Sequence, residues 1–221
     1  MEDEMTVYER TCRGYLDEIF RIDCSSGFER LGVRAEGNGL IVPFFGKPYR
    51  VAVNGIFDPS GMQPSHSVNV VLCKYLLLCP DIQPAGDDWV SYRDFKDAAP
   101  LAGAFANNVE RAIARNFTGK LTELQGACLK LGGYSPRVSL SYQLAMQFDA
   151  LPKVPILLLF NDLDSEFPAK GSVLFERRAY KYLDAESLAI VGWSFSDYLK
   201  KELTLPGVSS ERSEADQATS I

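Results

Sequence analysis

The chain has 221 residues, with 23 lysines and arginines against 29 aspartates and glutamates, a formal net charge of −6. Its 46% hydrophobic, 24% charged and 11% aromatic composition is that of an ordinary globular protein and excludes collagenous, coiled-coil and broadly disordered classes. The acidic balance, without any concentrated run of Lys and Arg, also argues against nucleic acid as a partner, because phosphate neutralisation requires such a run.

The first predicted element is a helix over Thr6–Phe20, where Tyr8, Cys12, Tyr15 and Ile19 fall at i, i+4, i+7 and i+11. After a polar, glycine-bearing stretch comes a hairpin of Leu40–Phe45 and Tyr49–Val53, with Gly46 and Lys47 as its turn and Pro48 pushing the second strand toward an edge. Ser65–Cys79 carries one stripe of Val68, Val71, Leu72, Tyr75, Leu76 and Cys79 and a second of Val70, Cys73 and Leu77, leaving little polar beyond Asn69 and Lys74. A helix so apolar all round belongs at the centre of its domain.

Asp88–Phe95 predicts a short exposed strand. Pro100 marks the start of a helix with Leu101, Phe105, Val109, Ile113 and Phe117 on one face, and Leu121, Leu124, Cys128 and Leu131 form another, closed by Gly132 and Gly133. Ser141–Phe148 alternates as a strand with one dry side, and Asp149–Lys153 turns the chain into Val154–Phe160, an unbroken apolar run suited to a strand buried on both faces. A short strand over Ser172–Phe175 follows. Asp184 then caps a last helix carrying Leu188, Val191, Phe195, Leu199 and Leu203. Strands and helices arrive in blocks rather than in βαβ alternation, which predicts a single α+β domain over residues 1–204 with antiparallel hairpins packed against several helices. Residues 205–221 have too few apolar side chains to offset ordering entropy and read as a disordered tail.

The N-terminal MEDEM is acidic where a secretory leader would be basic, and the longest apolar run, Val154–Phe160, is far short of the about 20 residues that span a bilayer. A cytoplasmic protein that does not enter a membrane is expected. Cys12, Cys24, Cys73, Cys79 and Cys128 contain no CxxC pair, so they fit neither a disulfide framework nor a zinc or iron–sulfur site and read as reduced, mostly buried thiols.

Few residues offer chemistry. The single histidine, His66, has Cys73 as its nearest partner in sequence, but seven residues along a helix is roughly 10 Å, beyond hydrogen-bond reach, so His66 reads as structural or exposed. Phosphate-binding glycine loops, nucleophile elbows and zinc-protease motifs are missing from the sequence. Asp162, Asp164 and Glu166 follow the most apolar strand at i, i+2 and i+4, where an extended chain projects side chains to one side. Three carboxylates there form a candidate magnesium or calcium site or an acid–base pair; an ordinary solvated turn is the simpler reading. Arg177, Arg178 and Lys181 offer themselves as partners for that turn. The aromatics Phe44, Phe45, Tyr49, Trp89, Tyr92, Phe95, Tyr180, Tyr182 and Trp193 read mainly as core, with a flat organic ligand or a peptide as what an aromatic-lined pocket would take. A redox thiol function would need two cysteines brought together by folding, with Cα atoms within about 7 Å; Cys73 and Cys79, about 120° apart around one helix, do not supply it.

Three segments, IVPFFGKPYRVAV from Ile41, GDDWVSYRDF from Gly86 and the long run beginning FDALPKVPILLLFNDLDSEFPAKG at Phe148, together with the helix over Val68–Cys79, resemble the prokaryotic family called domain of unknown function 3786. The resemblance implies a setting in anaerobic bacteria and archaea. Some members carry a cysteine-rich iron–sulfur module, but this chain lacks the cysteine cluster, so no such cofactor carries over, and the family brings no catalytic residues with it. The leading expectation is therefore a cytoplasmic accessory domain that binds a small molecule or partner protein in anaerobic redox or one-carbon metabolism, without covalent chemistry of its own. The alternative is a divalent-metal-dependent enzyme, perhaps hydrolytic, built on Asp162, Asp164 and Glu166.

Overall fold

A computed structural model describes residues 6–21, 25–84, 88–137 and 140–204; the expected tail over 205–221 lies outside them. Helix α1 (Val7–Arg21) opens on a reciprocal cap: the Thr6 hydroxyl accepts the Glu9 N–H at 3.2 Å, and the Glu9 carboxylate accepts the Thr6 N–H at 2.7 Å. The polar, glycine-bearing stretch after it holds a short helix α2 (Ser25–Arg30) and a three-residue strand β1 (Arg34–Glu36). With β2 (Gly39–Phe44), β3 (Lys47–Ala52) and β4 (Gly55–Phe57), β1 forms a four-stranded antiparallel meander. Strands of three residues are too short to show a period, which is why β1 and β4 escape a reading of the pattern.

The β2–β3 turn sits one residue earlier than expected. Phe45 and Gly46 are its central pair, with φ of 46° and 73°, and Lys47 already pairs with Phe44. Two-residue hairpins of this kind need positive φ at both positions, which favours glycine. Phe45 accepts it because the ring is only 3% exposed and stacks on Phe195 at 5.7 Å, while its N–H donates to the Ala150 carbonyl at 2.9 Å. Nor is β3 an edge strand, since β2 and β4 flank it; Pro48 is tolerated because β4 pairs only with Arg50–Ala52.

The second sheet, in the order β5-β8-β7-β6, is also wholly antiparallel and contains β5 (Trp89–Ser91), β6 (Leu144–Leu151), β7 (Val154–Asn161) and β8 (Lys170–Glu176). β7 is buried from Val154 through Phe160, as its unbroken apolar run requires. β6 runs three residues further than expected, through a register shift at Asp149/Leu151, so that Pro152 and Lys153 alone make the turn; the expected start around Tyr142 is exposed. The shift lies where Ala150 accepts the Phe45 N–H and so joins the two sheets. β5 is shorter than expected because Tyr92–Asp94 tightens into a 3₁₀ turn, and it is less exposed, since Val90 and Tyr92 are buried.

Helix α3 (His66–Leu77) is capped by Ser65, whose hydroxyl accepts the Val68 N–H at 3.4 Å. Helices α4 (Ala99–Phe105) and α5 (Arg111–Phe117) are joined by a π-helical segment, Ala106–Glu110. The stripe Leu101, Phe105, Val109, Ile113 and Phe117 repeats every four residues, longer than the 3.6 of an α-helix, and the wider π turn keeps its later members on the buried face. Helix α6 (Leu121–Lys130) ends at Gly132, whose φ of 76° closes it, and α7 (Ala185–Thr204) begins at Asp184, which accepts the Ser187 N–H at 2.8 Å. α7 packs against α3, α4, α5 and α6, with Leu188, Val191, Phe195 and Leu199 fully buried. One hydrophobic cluster runs through both sheets and these helices, giving an α+β architecture. No helix among the described residues is long and apolar enough to cross a membrane.

Candidate functional site

Helices α1 and α3 lie against each other through a row of facing side chains. The Tyr8 and His66 rings meet at 4.3 Å between centroids, Cys12 faces Cys73, and the Lys74 ammonium sits 5.4 Å from the Tyr15 ring centre. Tyr8 and Cys12 share a face of α1 at i, i+4; His66, Asn69 and Cys73 share a face of α3 at i, i+3, i+7. Beside this seam, the turn between β3 and β4 leaves a cavity of about 430 Å³, lined by Tyr8, Glu9, Cys12 and Arg13 from α1, Asn54 from the turn, and His66 and Asn69 from α3.

Two features give this cavity chemical character. The Asn69 side-chain carbonyl is buried without a hydrogen-bond partner. Leaving such an acceptor unmet costs about 1–3 kcal/mol. The second is the thiol pair. Both are free cysteines; Cys73 is 0% exposed and Cys12 half-buried at the cavity wall. A hydrogen bond from the Cys73 S–H holds the Cys12 thiol well below its usual value, at about 7, while the same bond and burial push Cys73 upward. In the sequence the site shows only as Asn69, one of the few polar residues of a largely apolar helix, and as cysteines whose pairing depends on the fold. Cys12 and Cys73 stand 61 positions apart, and no local pattern links them.

A second cleft of about 340 Å³ lies where the π segment meets β8. Burial raises the Glu110 carboxyl above its ordinary range, against the Val173 N–H, which it accepts at 3.1 Å, and the charges of Arg93, Lys170 and Arg111. That hydrogen bond makes Glu110 a tie between helix and sheet.

The acidic turn is arranged differently from a cation cradle. Asp162 accepts the Gly119 N–H at 2.7 Å and the Leu163 N–H at 2.8 Å, and so holds the turn after α5. Asp164 accepts the Glu166 and Phe167 N–H groups at 2.8 and 2.7 Å, which keeps its carboxyl below the usual range, and Glu166 is exposed. Among the described residues, no group of three or more His, Cys, Asp or Glu side chains is placed to hold a metal ion. The basic residues offered as partners for this turn pair elsewhere: Arg177 with Asp88 at 3.5 Å and Arg178 with Glu176, while Lys181 lies over the Tyr180 ring at 4.6 Å. Of the aromatics, Phe44, Phe45, Tyr49, Tyr92, Phe95 and Tyr182 are spent in the core, and Tyr8 meets the cavity beside the His66 ring.

Fold and site together define an α+β domain with a thiol-bearing cleft between α1 and α3. Residues 23–198 match the family described as Domain of unknown function (DUF3786), and the chain belongs to that family. Helix α1, which contributes Cys12, precedes the matched span. No curated protein and no solved structure matches the chain.

Proposed function

We propose that this protein is a cytoplasmic accessory domain that binds a small polar organic molecule in the cleft between α1 and α3. The observation that carries the reading is the unpartnered Asn69 carbonyl beside a cavity large enough for such a ligand. The ligand presents an N–H or O–H to Asn69 and meets the Tyr8 and His66 rings at the rim. The family resemblance supplies the setting, anaerobic redox or one-carbon metabolism. Native mass spectrometry of the full chain purified without denaturation tests the proposal. The expected result is a small-molecule adduct that Asn69→Leu loses and Asp164→Asn keeps. A bare protein mass, together with no thermal response to a panel of polar metabolites, would overturn it.

The alternative is a divalent-metal-dependent hydrolytic enzyme on Asp162, Asp164 and Glu166, in which the Asp162 and Asp164 Oδ1 atoms keep their backbone N–H bonds and the Oδ2 atoms face the cation. Calorimetry with magnesium and calcium on the native chain and on Asp164→Ala tests it, and indistinguishable titrations remove it.

A further inference from the structure

We propose that Cys12 and Cys73 are a redox-active dithiol, in which a hydroperoxide entering the α1–α3 cavity oxidises Cys12 and Cys73 then closes a disulfide between the two helices. The geometry divides the roles. Cys12 lines the cavity, whereas Cys73, on the facing helix, is wholly buried and outside the cavity lining. The Tyr8–His66 and Tyr15–Lys74 contacts on either side place Cys12 and Cys73 on facing helices, and a disulfide between them needs an S–S separation of roughly 2.05 Å. Cys128 is buried, which pushes its thiol up to about 12, and the Cys79 thiol donates to the Gly27 carbonyl at 3.4 Å.

The chemistry balances within the pair and the oxidant. The Cys12 thiolate attacks one peroxide oxygen; an S–O bond forms, the O–O bond breaks, and the departing hydroxide takes up a proton as water. The Cys73 thiol then attacks the Cys12 sulfur of the sulfenic acid; the S–S bond forms, the S–O bond breaks, and a second water leaves with the Cys73 proton. Two thiols and one hydrogen peroxide thus give one disulfide and two waters, and a dithiol reductant restores the pair by exchange. The thiolate is the form that reacts, and the lowered Cys12 thiol makes it the attacking member of the pair. The product ties α1, which lies outside the span matched by the family, to α3 along the cavity wall. The inference stands independently of the ligand, because it rests on the thiols alone.

The test treats the fully reduced full-length chain with hydrogen peroxide, blocks remaining thiols with N-ethylmaleimide and maps tryptic peptides. The expected product links peptide 11–13 to peptide 51–74 and disappears on treatment with dithiothreitol. In Cys73→Ala, Cys12 stops at a sulfenic acid that dimedone traps; in Cys12→Ser, Cys73 stays a thiol. If the buried Cys73 variant fails to fold, the wild-type map decides alone. Survival of both thiols, a disulfide from Cys12 to any other cysteine, or Cys12 carried to sulfinic acid beside an intact Cys73 overturns the proposal.

Discussion

The Tyr75 hydroxyl accepts the Lys153 N–H at 3.1 Å and donates to the Leu31 carbonyl at 2.7 Å. One buried oxygen on α3 therefore holds both the strand connection before β1 and the β6–β7 turn. In Tyr75→Phe, each orphaned backbone group costs about 1–3 kcal/mol, so urea denaturation should show a midpoint lowered accordingly with an unchanged slope. Burial pushes the phenol far above its usual value, so tyrosinate absorbance from Tyr75 should appear only as the protein unfolds.

Gly192 marks a second dependence on close packing. A methyl group there would lie 2.3 Å from the Phe105 ring, so α7 can approach α4 only without a side chain at this position. Alanine is the better helix former by about 1 kcal/mol, yet Gly192→Ala should destabilise the fold by about 1–3 kcal/mol through overpacking. Thermal melts followed by circular dichroism check the sign, and Phe105→Leu in the same chain should recover part of the loss.

Glu110 gives a pH dependence with a definite direction. Its folded carboxyl is raised above the ordinary value of 4.5, chiefly by burial, so the folded chain holds this proton to higher pH than the unfolded chain. Its contribution to stability is present below the unfolded value and is lost as pH rises through the folded one. Glu110→Gln keeps an acceptor for the Val173 N–H and removes the titration. Denaturation measured across a pH series should show a flatter profile above 4.5 and a variant at least as stable as wild type at neutral pH.

Asn69 separates stability from binding. Asn69→Leu replaces a buried, unmet acceptor with an apolar group of similar size, so the ligand-free variant should gain about 1 kcal/mol while ligand binding in the cleft is lost. Parallel melts with and without the ligand identified by mass spectrometry check both halves.

The readings that hold in the structure are those that depend on neighbouring residues. The apolar stripes of α3 and α7, the unbroken run of β7, the cap at Asp184 and the glycine closing α6 follow from spacing over one or two turns, and spacing is a local property. The family was likewise legible, because its segments are written in contiguous residues. Features set by a distant partner were not. The Phe45 turn shifted by one residue because Phe195 and Ala150 take up the ring and the N–H, and β6 lengthened because its bulge meets that turn. The candidate site is the extreme case. At Asp162, Asp164 and Glu166 spacing leaves a cation site and an ordinary turn both open, and only the tertiary structure shows the first two accepting backbone N–H groups. It was the packing of α1 on α3 that brought Cys12 to Cys73 and enclosed the Asn69 oxygen, because only a contact across 61 residues can place one thiol behind another.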